Sequence, residues 1–178
     1  MVYKNLFYLL ISLFPYSALA IEEGEMRLGN VVWSHFGSIA GPLVQTEAGL
    51  KQMRITGGFN LGVPTVYESD NSLFPVGKSF ASNVLVFAET VGSKVTLKGR
   101  NIWWDGEGNN LFGIVRRNDG TLKGFGASGA GLIIITGGSG LYENIRGKCS
   151  YVIKFRGEGG GDRRFANVPL HCKWIKRD

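Results

Sequence analysis

Short β-rich runs recur along this chain, some of them alternating apolar and polar residues with a period of two, and no segment repeats apolar positions at helical spacing. The runs are Met26–Ser34, Lys51–Thr56, Val84–Val91, Lys94–Trp104, Leu111–Arg117, Thr121–Ala127, Leu132–Thr136, Cys149–Arg156 and Ala166–Ile175. Glycine accounts for 27 of 178 residues and, with the prolines, interrupts almost every window long enough for a helix. Regular short strands separated by turn residues predict an all-β protein, either a sandwich or a barrel. Residues 60–80, which contain Pro64 and Pro75, read as a long excursion outside the core.

Two hairpins can be placed in register. Asn118-Asp119-Gly120 suits a three-residue loop with glycine in the left-handed position, which pairs Arg117 with Thr121, Val115 with Lys123 and Gly113 with Phe125. In the second, Cys149 and Cys172 lie equidistant from the glycine-rich segment 157–161. That symmetry sets Tyr151 opposite Leu170, Ile153 opposite Val168 and Phe155 opposite Ala166, every pair apolar. Ser150, Lys154 and Arg156 then point the other way, as a half-buried strand requires. The two cysteines face each other on the apolar side, where cross-strand Cβ atoms stand ~4.5–5.5 Å apart, close enough for a disulfide.

Residues 134–147, Ile-Ile-Thr-Gly-Gly-Ser-Gly-Leu-Tyr-Glu-Asn-Ile-Arg-Gly, carry the densest signal. An apolar β-branched run enters Gly137, Gly138 and Gly140, Tyr142 follows, and Gly147 closes the unit. Glycines so placed mark a strand end that needs positive φ or close backbone approach. No Gly-Lys-Ser/Thr or helix-forming segment follows, which argues against a phosphate-binding loop. The pattern Gly-Gly-x-Gly-x-aromatic-x-x-apolar-x-Gly resembles the signature of allene oxide cyclases and dirigent proteins, and the resemblance spans residues 131–156. It implies a closed antiparallel β-barrel of about eight strands with an apolar interior. It also implies a scaffold that orients a reactive apolar molecule and supplies little covalent chemistry. The polar residues on which activity rests in those families lie outside the matched stretch, so none is carried over.

The first twenty residues read as an export signal. Lys4 supplies a basic start, Leu6 to Phe14 form an apolar run, and Ala18-Leu19-Ala20 offers a cleavage site after Ala20. The run is short for a bilayer span, which takes ~20 apolar residues. The expected organisation is therefore residues 1–20 as signal peptide and residues 21–178 as one barrel domain, exported to the periplasm or secreted, with no stable membrane insertion after cleavage. Such a compartment favours a Cys149–Cys172 bond. Removing Lys4 leaves 19 basic against 14 acidic residues. The basic residues alternate along strands, as Lys154 and Arg156 do, which fits solvated outer faces and gives no nucleic-acid signature.

Candidate chemistry is sparse. His35 and His171 stand at no ligand spacing, so no metal is expected. Asp105-Gly106-Glu107-Gly108-Asn109 places oxygens at alternate positions but lacks the rest of a calcium loop, and reads as a turn. Ser139 lies in Gly-Ser-Gly, outside any hydrolase elbow. No cofactor motif is present, and no catalytic set is selected. In Val84–Val91 both strand faces are apolar, which predicts burial on both sides or a cavity wall. Glu89, on the face of Leu85 and Phe87, would then have a raised pKa unless paired with a base such as Arg100, and such carboxylates serve ligand binding or acid–base work. Trp103 and Trp104 face opposite sides of one strand, one for the core and one for a pocket or oligomer interface. Leu85, Phe87, Glu89, Trp104 and Tyr151 are thus the candidate ligand-binding residues. The expected ligand is a small apolar molecule in the barrel interior. The competing reading is a non-catalytic secreted or envelope interaction protein that uses the barrel as a scaffold, and a homo-oligomer is compatible with either.

Overall fold

Strict alternation of inward and outward side chains carries the first strand, β1 (Ile21–Gly37), across the whole wall of the molecule. Met26, Leu28, Asn30 and Val32 point in, while Arg27 and Val31 between them are exposed. In this computed structural model the described residues are 20–37, 44–45, 52–91, 94–123, 126–156 and 163–177. The expected signal segment lies outside them, apart from Ala20.

The remaining strands are β2 (Val44–Gln45), β3 (Gln52–Ser69), β4 (Ala81–Val91), β5 (Lys94–Trp104), β6 (Asn110–Lys123), β7 (Gly126–Ser139), β8 (Ile145–Arg156) and β9 (Arg163–Arg177). Every pairing is antiparallel. From β3 to β9 each strand pairs with the next, and β1 bridges β9 and β3 to close the sheet. The result is a closed antiparallel barrel of eight strands, with the two-residue β2 paired outside the ring to β3. Closure removes the sheet edges that would otherwise template aggregation.

The carboxyl-terminal hairpin has the expected register, with Cys149 opposite Cys172, Tyr151 opposite Leu170 and Phe155 opposite Ala166. Cys149 and Cys172 form a disulfide inside the barrel, and neither is exposed. The other predicted hairpin is corrected. Strand β6 runs on through Asn118-Asp119-Gly120 and stays paired with β7 as far as Lys123 with Gly126, so the chain does not reverse at Asn118-Asp119-Gly120. The Asn-Asp-Gly signal coincides instead with a register shift between Arg116 and Asp119, the irregularity that a bulge produces.

Residues 60–80 are also corrected. Strand β3 continues to Ser69 and pairs with β1 throughout, including Pro64 with Asn30. Pro64 is tolerated because pairing with β4 ends at Gly62. Beyond it the loop lies back on the strand, with Phe80 N donating to Pro64 O at 2.9 Å and Val66 N to Lys78 O at 2.9 Å. This loop inserts Phe74 and Phe80 into one end of the barrel, where both are fully buried. Phe74 stacks on Tyr142 with ring centroids 5.2 Å apart and meets Trp174 edge-on at the same distance. Phe80 packs against Trp103 and Tyr142. Each such aromatic contributes about 2–3 kcal/mol by leaving water. An aromatic plug therefore closes this end.

The glycine-rich motif builds the plug. Gly140 has φ +61°, a conformation other residues rarely adopt, and opens the 3-10 turn Gly140–Tyr142. A Cβ on Gly138 would stand 2.4 Å from Tyr142 O and 2.6 Å from Asn110 O. Backbone passes where a side chain would be, and the turn delivers Tyr142 onto Phe74.

Candidate functional site

With one end plugged, the interior beyond the plug holds free space. A cavity of about 70 Å³ opens there, walled by Val32, Val84, Val86, Leu97, Val115, Ile133, Ile153 and Val168. These come from seven strands, each contributing its inward phase. Polar groups interrupt the apolar wall at Asn30, Asn60, Ser82, Arg117 and Tyr151.

Arg117 is the residue that sequence reasoning missed. It ends the inward phase Leu111, Gly113, Val115, Arg117 of β6 and is only 3% exposed. A guanidinium so buried is desolvated, which lowers its pKa, while Tyr151 nearby acts in the opposite sense. It stays cationic at any ordinary pH. Burial raises the Tyr151 hydroxyl, and Arg117 partly offsets that rise. Across the ring, in the closed order of strands, stand Asn30 on β1 and Asn60 on β3. The Oδ1 atoms of both are buried with no hydrogen-bond partner among the described residues. The signal for all of these was present in the sequence as a polar residue at the apolar phase of a strand: Asn30 between Leu28 and Val32, and Arg117 two positions after Val115.

Two interior polar side chains owe their positions to glycines on the neighbouring strand. Asn30 lies over Gly62, whose Cβ would meet Asn30 Oδ1 at 2.7 Å, and Tyr151 lies over Gly131 in the same manner.

Of the expected ligand-binding residues, Tyr151 lines the cavity. Leu85 and Phe87 do not. Each is 52% exposed on the outer face, and the inward phase of β4 belongs to Ser82, Val84, Val86 and Ala88. Both faces of the strand are apolar because the outer one belongs to an apolar surface, so hydrophobicity alone could not set its phase. The side chain of Glu89 lies outside the described residues. Trp104 is exposed at the end of β5, whereas Trp103 fills the core.

The Asp105–Asn109 turn caps the plugged end. Asp105 Oδ1 accepts from the amides of Glu107 at 2.8 Å and Asn109 at 3.2 Å. Its Oδ2 accepts from the Asn109 side chain at 2.8 Å, and Lys78 Nζ stands 3.1 Å away. Tyr142 OH donates to Oδ2 at 3.4 Å. Burial opposes the charge on Asp105, but the donors around it prevail and hold its carboxyl well below the usual range. These oxygens are engaged by a lysine and amides, which makes the turn a latch between the 70–80 loop and the Gly140–Tyr142 turn. Among the described residues no group of three His, Cys, Asp or Glu is placed to hold a metal ion.

No family model and no curated protein matches the sequence. Among solved structures the chain is similar to a pterocarpan synthase dirigent protein, at 13% identity and a TM-score of 0.48, over 90% of this chain and 93% of that one. The barrel architecture itself is read from the strand pairing.

Proposed function

We propose that this protein is exported and binds a small, largely apolar molecule inside its barrel. The supporting observation is the cavity itself, an apolar wall with few polar groups at fixed places, which is the usual composition of a small-molecule site. Its size fits a single ring or a short alkyl chain, with little room for a long lipid. The resemblance of residues 131–156 to allene oxide cyclases and dirigent proteins is the reason for extending the reading to orientation of a reactive ligand. The buried disulfide fits export to an oxidising compartment. Native mass spectrometry of protein purified from its host, followed by solvent extraction, tests the reading. A co-purifying small molecule that displaces a polarity-sensitive dye supports it, and a barrel that binds no dye opposes it.

A second reading has an observation of its own. Val31 on β1, Leu61 and Val63 on β3, and Leu85 and Phe87 on β4 are all more than two-fifths exposed. Val31 pairs with Val63, and β3 pairs with β4, so these side chains share one outer face. Elsewhere the outer surface mixes exposed Phe112, Val152 and Phe165 with exposed Lys98, Arg100, Arg116, Lys148 and Lys173. Such a patch supports an interaction scaffold, including a homo-oligomer. Sedimentation velocity at several concentrations tests it, with a concentration-independent monomer as the opposing result.

A further inference from the structure

Resting on the interaction-scaffold reading, we propose that the outer face of β1, β3 and β4 docks on a bilayer surface that bears anionic lipid. The apolar part of that face is Val31, Leu61, Val63, Leu85 and Phe87, each 41–52% exposed. Beside it runs a basic strip. On β5, Arg100 lies directly across from Leu85 and Lys98 across from Phe87, and on β6 Arg116 lies across from Lys98. All three are exposed, and among the described residues none of them forms an ion pair. The plugged end is different: Arg27 pairs with Glu68, Lys78 with Asp105 and Glu107, and Lys173 with Glu25. The carboxylates account for the contrast. Every acidic side chain among the described residues lies within 22–25, 68–70 or 105–107 or at Glu143, all at the plugged end. Glu89 follows Phe87 by two positions on β4, and its side chain lies outside the described residues. A partner that covers the basic strip therefore has to bring the negative charge itself.

The curvature of the barrel sets the two strips at different depths. Neighbouring strands stand ~4.8 Å apart, and in a ring of eight each turns about an eighth of a revolution from the last. With β3 and β4 against the bilayer, β5 and β6 rise away from it. Leu85 and Phe87 then enter the acyl boundary, at the ~5–10 Å depth of interfacial apolar groups, while Lys98, Arg100 and Arg116 reach up to the phosphates. A protein partner would suit an apolar centre ringed by polar groups. Here the cations stand on one side only, because across from Val31 lies Asn167 on β9. A convex wall with hydrocarbon below and cations above fits a fluid interface, which needs no matching groove.

Co-sedimentation of the full mature protein with vesicles tests this, using phosphatidylcholine alone and phosphatidylcholine with about 30% phosphatidylglycerol. Binding to the mixed vesicles is expected to be at least tenfold tighter, since each basic residue near an anionic surface contributes about fivefold. Lys98→Gln, Arg100→Gln and Arg116→Gln together should weaken it on the order of a hundredfold. Leu85→Ser with Phe87→Ser leaves the net charge unchanged and should weaken it by about tenfold or more, which a merely basic protein would not show. Equal binding to the two vesicles, or a serine double variant that binds as the natural protein does, overturns the bilayer assignment. So does the absence of vesicle binding. If poly-glutamate binds instead, the face belongs to an acidic protein and the scaffold reading stands. If the protein binds neither and stays monomeric in sedimentation velocity, both fall. The comparison of the two vesicles on the natural protein decides the matter even if a variant does not fold.

Discussion

The ring of Tyr151 lies across Gly131, its direct cross-strand neighbour, so closely that a Cβ on the glycine would stand 2.4 Å from both Cζ and the hydroxyl oxygen. The next atom in the way is Arg116 O, at 2.7 Å, which belongs to the backbone and cannot step aside. Gly131→Ala should therefore push Tyr151 off its seat and destabilise the fold by about 1–3 kcal/mol, the usual cost of overpacking. Because Tyr151 also lines the cavity, dye binding should change with stability. Chemical denaturation of both forms measures the first effect. A variant as stable as the natural protein would show that the ring has another place to go.

The disulfide closes a loop of 23 residues between strands already paired, and both sulfurs are buried. On the chain-entropy account, a loop of that length is worth about 3 kcal/mol. Cys149→Ala should lower stability by about that amount, and thiol titration of the unreduced, denatured protein should find essentially no free thiol. Two free thiols would mean that the bond does not form in the natural protein.

The three motif glycines are not equivalent. Gly138 has backbone oxygens where a Cβ would go, and Gly140 combines φ +61° with Asn109 Oδ1 at 2.1 Å from that position. Near Gly137 the closest atom is Arg146 Nη1 at 3.0 Å, the movable tip of a long side chain. Alanine at Gly138 or Gly140 should cost more than about 1 kcal/mol; Gly137 has room for a Cβ, but its φ of +157° strains any side chain, so alanine there should also destabilise, by less than at Gly140, which combines strain with crowding. Melting temperatures of the three variants would show the order. Equal tolerance at all three would remove the turn's steric basis.

What the sequence made legible follows from where its signals were two-sided. The Cys149–Cys172 hairpin could be placed because one face of each strand is apolar and the other polar, and a one-residue slip would have buried Lys154. Strand β4 could not be phased, because Leu85 and Phe87 outside are as apolar as Val84 and Val86 inside. Pro64 and Pro75 suggested an excursion, yet Phe74 and Phe80 flanking Pro75 are core residues, and proline is harmless where a strand has lost its neighbour. Arg117 was overlooked for a different reason. A charge at the end of an apolar run reads as a strand terminus, whereas β6 continues to Lys123 and carries it into the interior.

Asp105 gives the plugged end a pH dependence. Its pKa is held below the unfolded value of ~3.9 by the Asn109, Glu107 and Lys78 donors, against the opposing effect of burial. The stability it contributes is thus complete above that value and is lost as the pH falls toward the folded pKa. Asp105→Asn should destabilise the protein by about 2 kcal/mol at pH 7, the scale of hydrogen bonds to a charged group. Below about pH 4 the gap between variant and natural protein should narrow steadily. Thermal unfolding followed from pH 7 to pH 2 checks this. A gap that stays constant across that range would mean that the Asp105 charge does not hold the latch.

Inside and outside can be separated on one strand, because Val84 lines the cavity and Leu85, the next residue, is exposed. Val84→Phe places a ring in a space of only about 70 Å³ and should weaken binding of a polarity-sensitive dye by at least tenfold. Some overpacking, about 1–3 kcal/mol, is expected with it, so folding must be checked by circular dichroism. Leu85→Ser removes apolar surface from the outer face and should leave dye affinity within about twofold, while lowering any self-association that rests on that face. The opposite pattern, with dye binding lost in Leu85→Ser and kept in Val84→Phe, would place the apolar site on the outside of the barrel. The cavity would then be packing space, and the interaction scaffold would be the better account of this protein.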